Sequence, residues 1–292
     1  MSILPYVSML ETHSGKYLIS TTNDAINEVL LRKGYFDEGP ILISNLVLKS
    51  VDGDAVILDI GANMGTYAIP IASGGEDGQK RAVYCFEVQH HVFLQLCGNI
   101  FINRRDNIYP LNIAIGNQNG TIDIPAIDYN TCKNTGSFSI DRDVINRSNA
   151  DFPKGQSGAR PCGIRRIDDL DFLPAAHLIK LDVEGYEYEA LQGMQNYLKR
   201  SGYPPIIFEC WNEDWYRQKR ELLFDYLAST GYSNISPELE DCNFLAQHVD
   251  SQSRRILFWC EDDSLRAGRQ DITGFASQAS DSESLLCANA PP

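Results

Sequence analysis

From about Val51 onward the chain alternates short apolar runs with segments of helical period, and this alternation narrows the folds open to it more than any other feature. The runs are AVILDIG (55–61), RAVYCFEV (81–88), IYPLNIAI (108–115), HLIKLDVE (177–184) and PPIIFECW (204–211). Near-continuous β-branched and aromatic stretches of this length suit strands covered on both faces. Between them, HHVFLQLCGNIFINRR repeats Phe93, Leu96, Cys97, Ile100 and Phe101 at helical spacing. YEYEALQGMQNYLKR does the same with Ala190, Leu191, Met194 and Leu198, and its Lys199-Arg200 suits a helix C-terminus. ELLFDYLASTGY offers Leu222, Leu223, Tyr226 and Leu227, with Gly231 just past the end. Strands alternating with helices predict an α/β fold built on a doubly wound, mostly parallel sheet. After Gly231, YSNISPELEDCNFLAQHV reads as two strands joined by a polar turn, an antiparallel addition at one edge. RRILFWC reads as a further strand.

Three segments stand apart from this body. Residues 1–50 read as a mixed helical lead-in or cap to a main domain spanning 51–260, and residues 261–292 as a loosely held tail rich in Ser, Ala, Asp and Gly. Residues 128–166 form a polar insertion too long for an ordinary connection, and such loops are commonly functional. A formal net charge of −14 argues against nucleic acid as a partner, because a surface of that sign repels phosphate backbones. The opening MSILPYVSML lacks a basic n-region, and no apolar stretch reaches membrane-spanning length. None of the eight cysteines forms a CxxC pair, and several lie in strand-like runs, which suits free thiols in a cytoplasmic protein.

The first strand runs into a turn, VILDIGANMGTYAI, whose Gly61-Ala62-Asn63-Met64-Gly65 removes the Cβ atoms that would keep a ligand away from the backbone. At the end of the second strand, Glu87 stands 22 residues beyond Gly65. An acid there can accept hydrogen bonds from both hydroxyls of a ribose held over the turn. Asp59, two residues before Gly61, suits a cationic ligand better than a pyrophosphate. The fourth run ends in LIKLDVEGYEYEAL, crowding Asp182, Glu184 and Glu187 around one glycine. In an open α/β sheet ligands bind at the carboxyl ends of the strands, so Asp59, Glu87, Asp182 and Glu209 are expected along one rim.

VILDIGANMGTYAI, VYCFEVQ, NIFIN with NIAIGNQNGTI, NTGSFSI, RRIDDL and LIKLDVEGYEYEALQGM resemble, in order and spacing, the FkbM family of S-adenosylmethionine-dependent methyltransferases, over roughly residues 35–250. The resemblance implies a class I methyltransferase (Rossmann-like) fold, with a seven-stranded sheet carrying one antiparallel strand. It also implies methyl transfer, in most members to a hydroxyl of a natural product or sugar, so the expected partner is a small-molecule or glycan substrate. Carried over by motif, Asp59, Gly61, Ala62, Asn63 and Gly65 would hold the methionine end of S-adenosylmethionine, Glu87 the ribose, and Ala114 the surroundings of the adenine. Pro70, inside the helix that should follow the turn, costs a hydrogen bond past the first turn and predicts a short or kinked helix.

A hydroxyl acceptor needs a general base, or a metal that lowers its pKa. Asp182 and Glu184 are expected at the working edge, with Glu209 opposite and Asp182 also close to the cofactor. Lys180 is expected to pair with an acid beneath them. Asp182, Glu209 and Asn212 are the alternative ligands for Mg²⁺, a cofactor not expected here. His248 is a second candidate base. Trp211, Trp215 and Tyr216 could stack on the acceptor or pack against the next helix, and Asn134, Ser137 and Arg142 of the long insertion could close over it. Two rival readings are a nicotinamide-dependent oxidoreductase, which would want GxGxxG and no acid at Asp59, and a nucleoside-binding protein without turnover. Oligomeric state, a homo-oligomer included, is left open.

Overall fold

A computed structural model describes residues 7–20, 24–75, 78–129, 132–147, 159–251, 255–261, 264–270 and 283–285. The lead-in opens on an antiparallel hairpin, β1 (Val7–Glu11) and β2 (Lys16–Ser20), before helices α1 (Ala25–Lys33) and α2 (Glu38–Leu48). The mixed helical lead-in thus has two helices preceded by a hairpin that the expectation did not include. The side-chain alternation of KYLIS, which buries Tyr17 and Ile19, is a period-2 pattern that the helical reading passed over.

The main body follows in alternation: β3 (Ala55–Ile60), α3 (Ala68–Ala72), β4 (Arg81–Phe86), α4 (His90–Ile102) and β5 (Ile108–Leu111). Next come β6 (Ile113–Ile115), β7 (Gly120–Ile124), α5 (Arg142–Arg147) and β8 (Arg160–Arg165). The second half contains β9 (Leu178–Leu181), α6 (Glu187–Gln192), α7 (Gln195–Arg200), β10 (Ile206–Glu209), α8 (Arg217–Ser229), β11 (Asn234–Ile235) and β12 (Asn243–Gln247). The large sheet has seven strands in the order β11-β12-β10-β9-β3-β4-β5. Only β12 runs against its neighbours, pairing antiparallel with both β10 and β11. The chain builds outward from β3 to β5, then returns to β9 and builds the other way. The order thus reverses between β3 and β9, and their carboxyl ends are where a ligand crevice belongs.

Strand parity sorts the core into two layers. Ile57, Val83, Leu178 and Ile207 face α2, α3 and α4, whereas Leu58, Phe86, Ile179 and Phe208 face α6, α7 and α8. Asp59 and Lys180 follow the first parity and lie on the α2–α3 side. In α4 the buried line is Val92, Leu96 and Asn99, while Phe101 is 82% exposed. The stretch expected as one helix after β9 is two, broken at Gly193, where a Cβ would stand 1.9 Å from the Gly116 carbonyl oxygen. Pro70 does sit in a short helix of five residues.

Two expected elements divide differently. IYPLNIAI is not one strand: β5 closes the large sheet, and β6 joins a small sheet of order β6-β8-β7. Asn112 stands at the break and donates from Nδ2 to the carbonyls of Glu87 and Val88. RRILFWC becomes β13 (Arg255–Glu261), which pairs along its length with β14 (Ser264–Gln270), itself paired with β15 (Glu283–Leu285). Ser264–Gln270 is therefore a strand, where the sequence reading placed a loosely held tail. Cys85, Cys97, Cys132, Cys162, Cys210 and Cys242 are free thiols. Among the described residues no helix is long and apolar enough to cross a membrane.

Candidate active site

A cavity of about 220 Å³ opens at the carboxyl ends of β3, β4, β9 and β10. Its floor is the glycine turn. Gly61 has φ +90°, and a Cβ there would lie 1.6 Å from the Asp182 carbonyl oxygen, so β3 and β9 can run together at this point only because residue 61 has no side chain. The Gly61 and Ala62 amides both donate to the Phe86 carbonyl, at 2.9 and 3.0 Å, which leaves the turn lying flat against the end of β4. Gly65 serves packing instead: it is absent from the lining, and a Cβ there would strike Leu96 at 2.8 Å.

Glu87 lines the cavity with its carboxylate pinned from two sides. Oε2 accepts from the Asn63 amide at 2.9 Å and Oε1 from the Gln89 amide at 2.8 Å. Each oxygen keeps a lone pair for a ligand hydroxyl. Burial raises its pKa to about 7, against the pull of those two amides. Ala114, with Ile113, Ile115, Phe138 and Ile140, forms an apolar slot next to it.

Lys180 is 2% exposed and donates from Nζ to Asp182 Oδ2 at 2.7 Å, as expected of an acid partner. Burial works to lower its pKa, but Asp182, Asp37 and Asp59 outweigh that and hold the ammonium well above its ordinary value. Asp59 is fully buried below the lining and does not face the cavity, which corrects the expectation that it would reach the ligand from the rim. Neither of its oxygens has a hydrogen-bond partner, and burial raises its pKa to about 7.

Asp182, Glu184 and Glu209 all line the cavity, and one carboxylate oxygen from each lies within 4.8 Å of the others. The three candidate catalytic carboxylates are thus brought together. Glu184 has φ +55° and Gly185 +90°, two consecutive left-handed residues that swing the loop back over the strand ends. Glu187 stitches that loop: Oε1 accepts from the Val183 and Gly185 amides at 3.0 and 3.2 Å, and Oε2 from the Tyr216 hydroxyl at 3.3 Å. Burial, then the charges of neighbouring carboxylates, pushes the Glu184 and Glu209 carboxyls well above the usual carboxylate range. Oε2 of Glu209 is buried and without a partner.

Other expected members fall elsewhere. Asn212 is exposed, with its carbonyl oxygen engaged by the Arg220 guanidinium, so Glu184 takes its place in the only three-carboxylate grouping found among the described residues. His248 accepts from the Asp250 amide on Nδ1 and sets Nε2 against the Thr230 carbonyl at 3.0 Å. Its ring stacks on Tyr203 at 3.8 Å, outside the cavity lining, so the structure does not bring it together with the three carboxylates there. Trp211, Trp215 and Tyr216 pack on one another with centroids 5.0–5.7 Å apart, outside the lining. Asn134 reaches the cavity. Ser137 bonds back to Asn134, and Arg142 is exposed on α5. Sequence reasoning missed Asp37, which lines the cavity with φ +60° and accepts from the Thr66 hydroxyl at 2.9 Å. FDEGP looks like an ordinary helix start, and only the fold carries it to the strand ends. Glu240, Asp241 and Asn243 were missed for the same reason.

A seven-stranded sheet of this order, with a glycine turn and a pinned acid at its switch point, defines a class I methyltransferase fold. The methyltransferase FkbM domain matches residues 59–276, most of the chain, and the chain belongs to that family. A curated relative, the hexuronic acid methyltransferase AglP of Haloferax volcanii, is 24% identical over 157 residues, which are 54% of this chain and 57% of that protein. The chain thus spans little more than half of that relative's length. Among solved structures, a methyltransferase FkbM from Methylobacillus flagellatus KT is 18% identical with a TM-score of 0.44, covering 66% of this chain and 43% of that one. A SAM-dependent methyltransferase from Aquifex aeolicus is 14% identical with a TM-score of 0.42, covering 77% and 97%.

Proposed function

We propose that the protein transfers a methyl group from S-adenosylmethionine to a hydroxyl oxygen of a sugar, glycan or natural-product small molecule, within the cytoplasm. The observation that carries this reading is the joining of the Glu87-pinned glycine turn and the Asp182–Glu184–Glu209 rim in one cavity. The donor set fits the cofactor. The backbone of Gly61, Ala62 and Asn63 would cradle it, Glu87 would accept from the ribose hydroxyls, and the slot beside Ala114 would take the adenine. The surplus of carboxylates suits a cation. When bound, S-adenosylmethionine supplies an electrophilic methyl on a positively charged sulfur.

The chain's own contribution is then to place the acceptor and remove its proton. Positioning alone can lower such a barrier by about 7–11 kcal/mol. Glu184 and Glu209 are the proton acceptors best suited to the task, because a raised pKa brings a carboxylate closer to the working pH. Asp182, already tied to Lys180, orients the edge instead of taking the proton. The hexuronic acid in the archaeal relative's name supports a sugar as acceptor.

Calorimetric titration with S-adenosylmethionine and with NAD tests the first half. S-adenosylmethionine should bind and NAD should not; the reverse would overturn the reading. Glu209→Gln and Glu184→Gln should keep cofactor affinity while turnover on a hydroxylated acceptor falls by about 10²–10⁴-fold. Cofactor binding without turnover on any sugar or small-molecule hydroxyl would leave a binding protein.

A further inference from the structure

We infer that Asp24 is a positioning residue that fastens a roof over the cavity and thereby sets how long the cofactor stays bound. Two segments more than a hundred residues apart cross the cavity together: the start of α1, through Ala25 and Ile26, and the run containing Asn134, Gly136 and Phe138. One buried carboxylate joins them. Asp24 Oδ1 caps α1, accepting from the Ile26 and Asn27 amides at 3.1 and 3.3 Å. Its Oδ2 accepts from the Thr135 amide at 2.9 Å and from the Thr135 hydroxyl at 2.8 Å. The Ala25 amide adds a bond to the Lys133 carbonyl at 2.8 Å.

The roof also rests on the floor at two places. Gln89 Nε2, two residues past Glu87, donates to the Thr135 carbonyl at 2.8 Å. Gly136 lies so close that a Cβ would meet Asn63 Nδ2 at 2.8 Å and Ile26 Cδ1 at 2.9 Å. The floor is held by the ladder of parallel strands, whereas the roof is held by a few hydrogen bonds, most of which converge on Asp24. A nucleoside-sized ligand lying between the two enters and leaves by displacing the weaker of them, and that is the roof.

This inference rests on the reading of the cavity as the S-adenosylmethionine site, and the experiment separates the two. Dissociation of S-adenosylmethionine is followed by stopped flow for the wild type and for Asp24→Asn, Thr135→Val and Thr135→Ser, with thermal unfolding of each ligand-free protein alongside. Asp24→Asn keeps an oxygen for the helix cap but turns an amide donor toward the donors of Thr135. Thr135→Val loses only the hydroxyl, and Thr135→Ser restores it. Dissociation should quicken by roughly tenfold or more in Asp24→Asn and by less in Thr135→Val, and return to the wild-type rate in Thr135→Ser. In turnover, KM for S-adenosylmethionine should rise while kcat at saturation holds. Release at the wild-type rate from Thr135→Val, and from Asp24→Asn where it folds, overturns the clasp with the cofactor assignment intact. A wild-type protein that does not bind S-adenosylmethionine overturns both.

Discussion

Asp59 and Lys180 are register partners on the neighbouring parallel strands β3 and β9, yet Lys180 gives its hydrogen bond to Asp182 and leaves both Asp59 oxygens without one. The lysine therefore serves the carboxylate on the cavity wall by direct contact and the one beneath it only through the field. Asp59 sits in full burial with a positive charge nearby and no donor. Such a group is cheaper to keep neutral than charged.

That arrangement fixes the sign of the pH dependence of stability. Burial raises the Asp59 carboxyl from 3.8 to about 7, and Glu87 and Glu187 also reach about 7. Each binds its proton more tightly in the folded chain than in the unfolded one, so the stability these three groups contribute is fullest below about pH 4 to 5 and falls as pH rises toward 7. A tenfold difference in proton affinity is worth about 1.4 kcal/mol. Asp59→Asn, which cannot ionise, should therefore gain up to about 4 kcal/mol at pH 8, roughly three such tenfold factors, and little at pH 4, read as a higher melting temperature at pH 8 alone. Calorimetric melts at the two pH values check this, and an equal effect at both would show that Asp59 is charged throughout.

The parallel strands and the ligand end of the sheet were legible because each is a local pattern: an apolar run, then a glycine turn or an acid at its end. DIGANMG gave the floor and LDVEG the rim, and both lie at the switch point. Orientation within a strand was less legible. Asp59 falls below the floor instead of on it because residue parity and the close approach of Gly61 to Asp182 decide the matter, and both depend on the neighbouring strand. Asp37 and Asp24 were out of reach altogether. Each is an acid at a helix start with a common local explanation, and only tertiary packing brings one to Thr66 and the other to Thr135.

Gly61 should be among the least replaceable positions. Alanine there combines a left-handed φ of +90° with a Cβ overlapping the Asp182 backbone, and backbone cannot step aside as a flexible side chain can. Gly61→Ala should lose about 3 kcal/mol or more and separate the ends of β3 and β9. Denaturant unfolding measures the loss, and a change below about 1 kcal/mol would mean that the two strands do not meet at this point.

The carboxylate trio invites a metal, since oxygens of Asp182, Glu184 and Glu209 lie within 4.8 Å of one another and suit a hard cation. Lys180 already neutralises Asp182, and Glu184 and Glu209 have raised proton affinity, so a second cation is not required to hold them together. Methyl transfer should therefore survive exhaustive chelation with less than a twofold loss. Activity abolished by chelation and restored by Mg²⁺ would turn the trio from proton acceptors into ligands.

Lys180→Met tests the whole network from the other side. The methionine fills similar space but leaves Asp182 without its ion-pair partner and Asp59 and Asp37 without their nearest positive charge. Asp182 is 26% exposed, so the loss should fall below the roughly 3–5 kcal/mol that breaking a fully buried pair costs. Asp37 and Asp59, whose burial already raises their proton affinity, can escape that cost by taking up protons, so the loss should be greatest at pH 8 and much smaller at pH 5. Adding Asp59→Asn to Lys180→Met should recover part of the stability at pH 8 and almost none at pH 5. Urea titrations of the single and double variants at both pH values read this directly. A loss independent of pH, or a double variant no better than the single, would mean that Lys180 contributes packing alone and that Asp59 does not sense its charge.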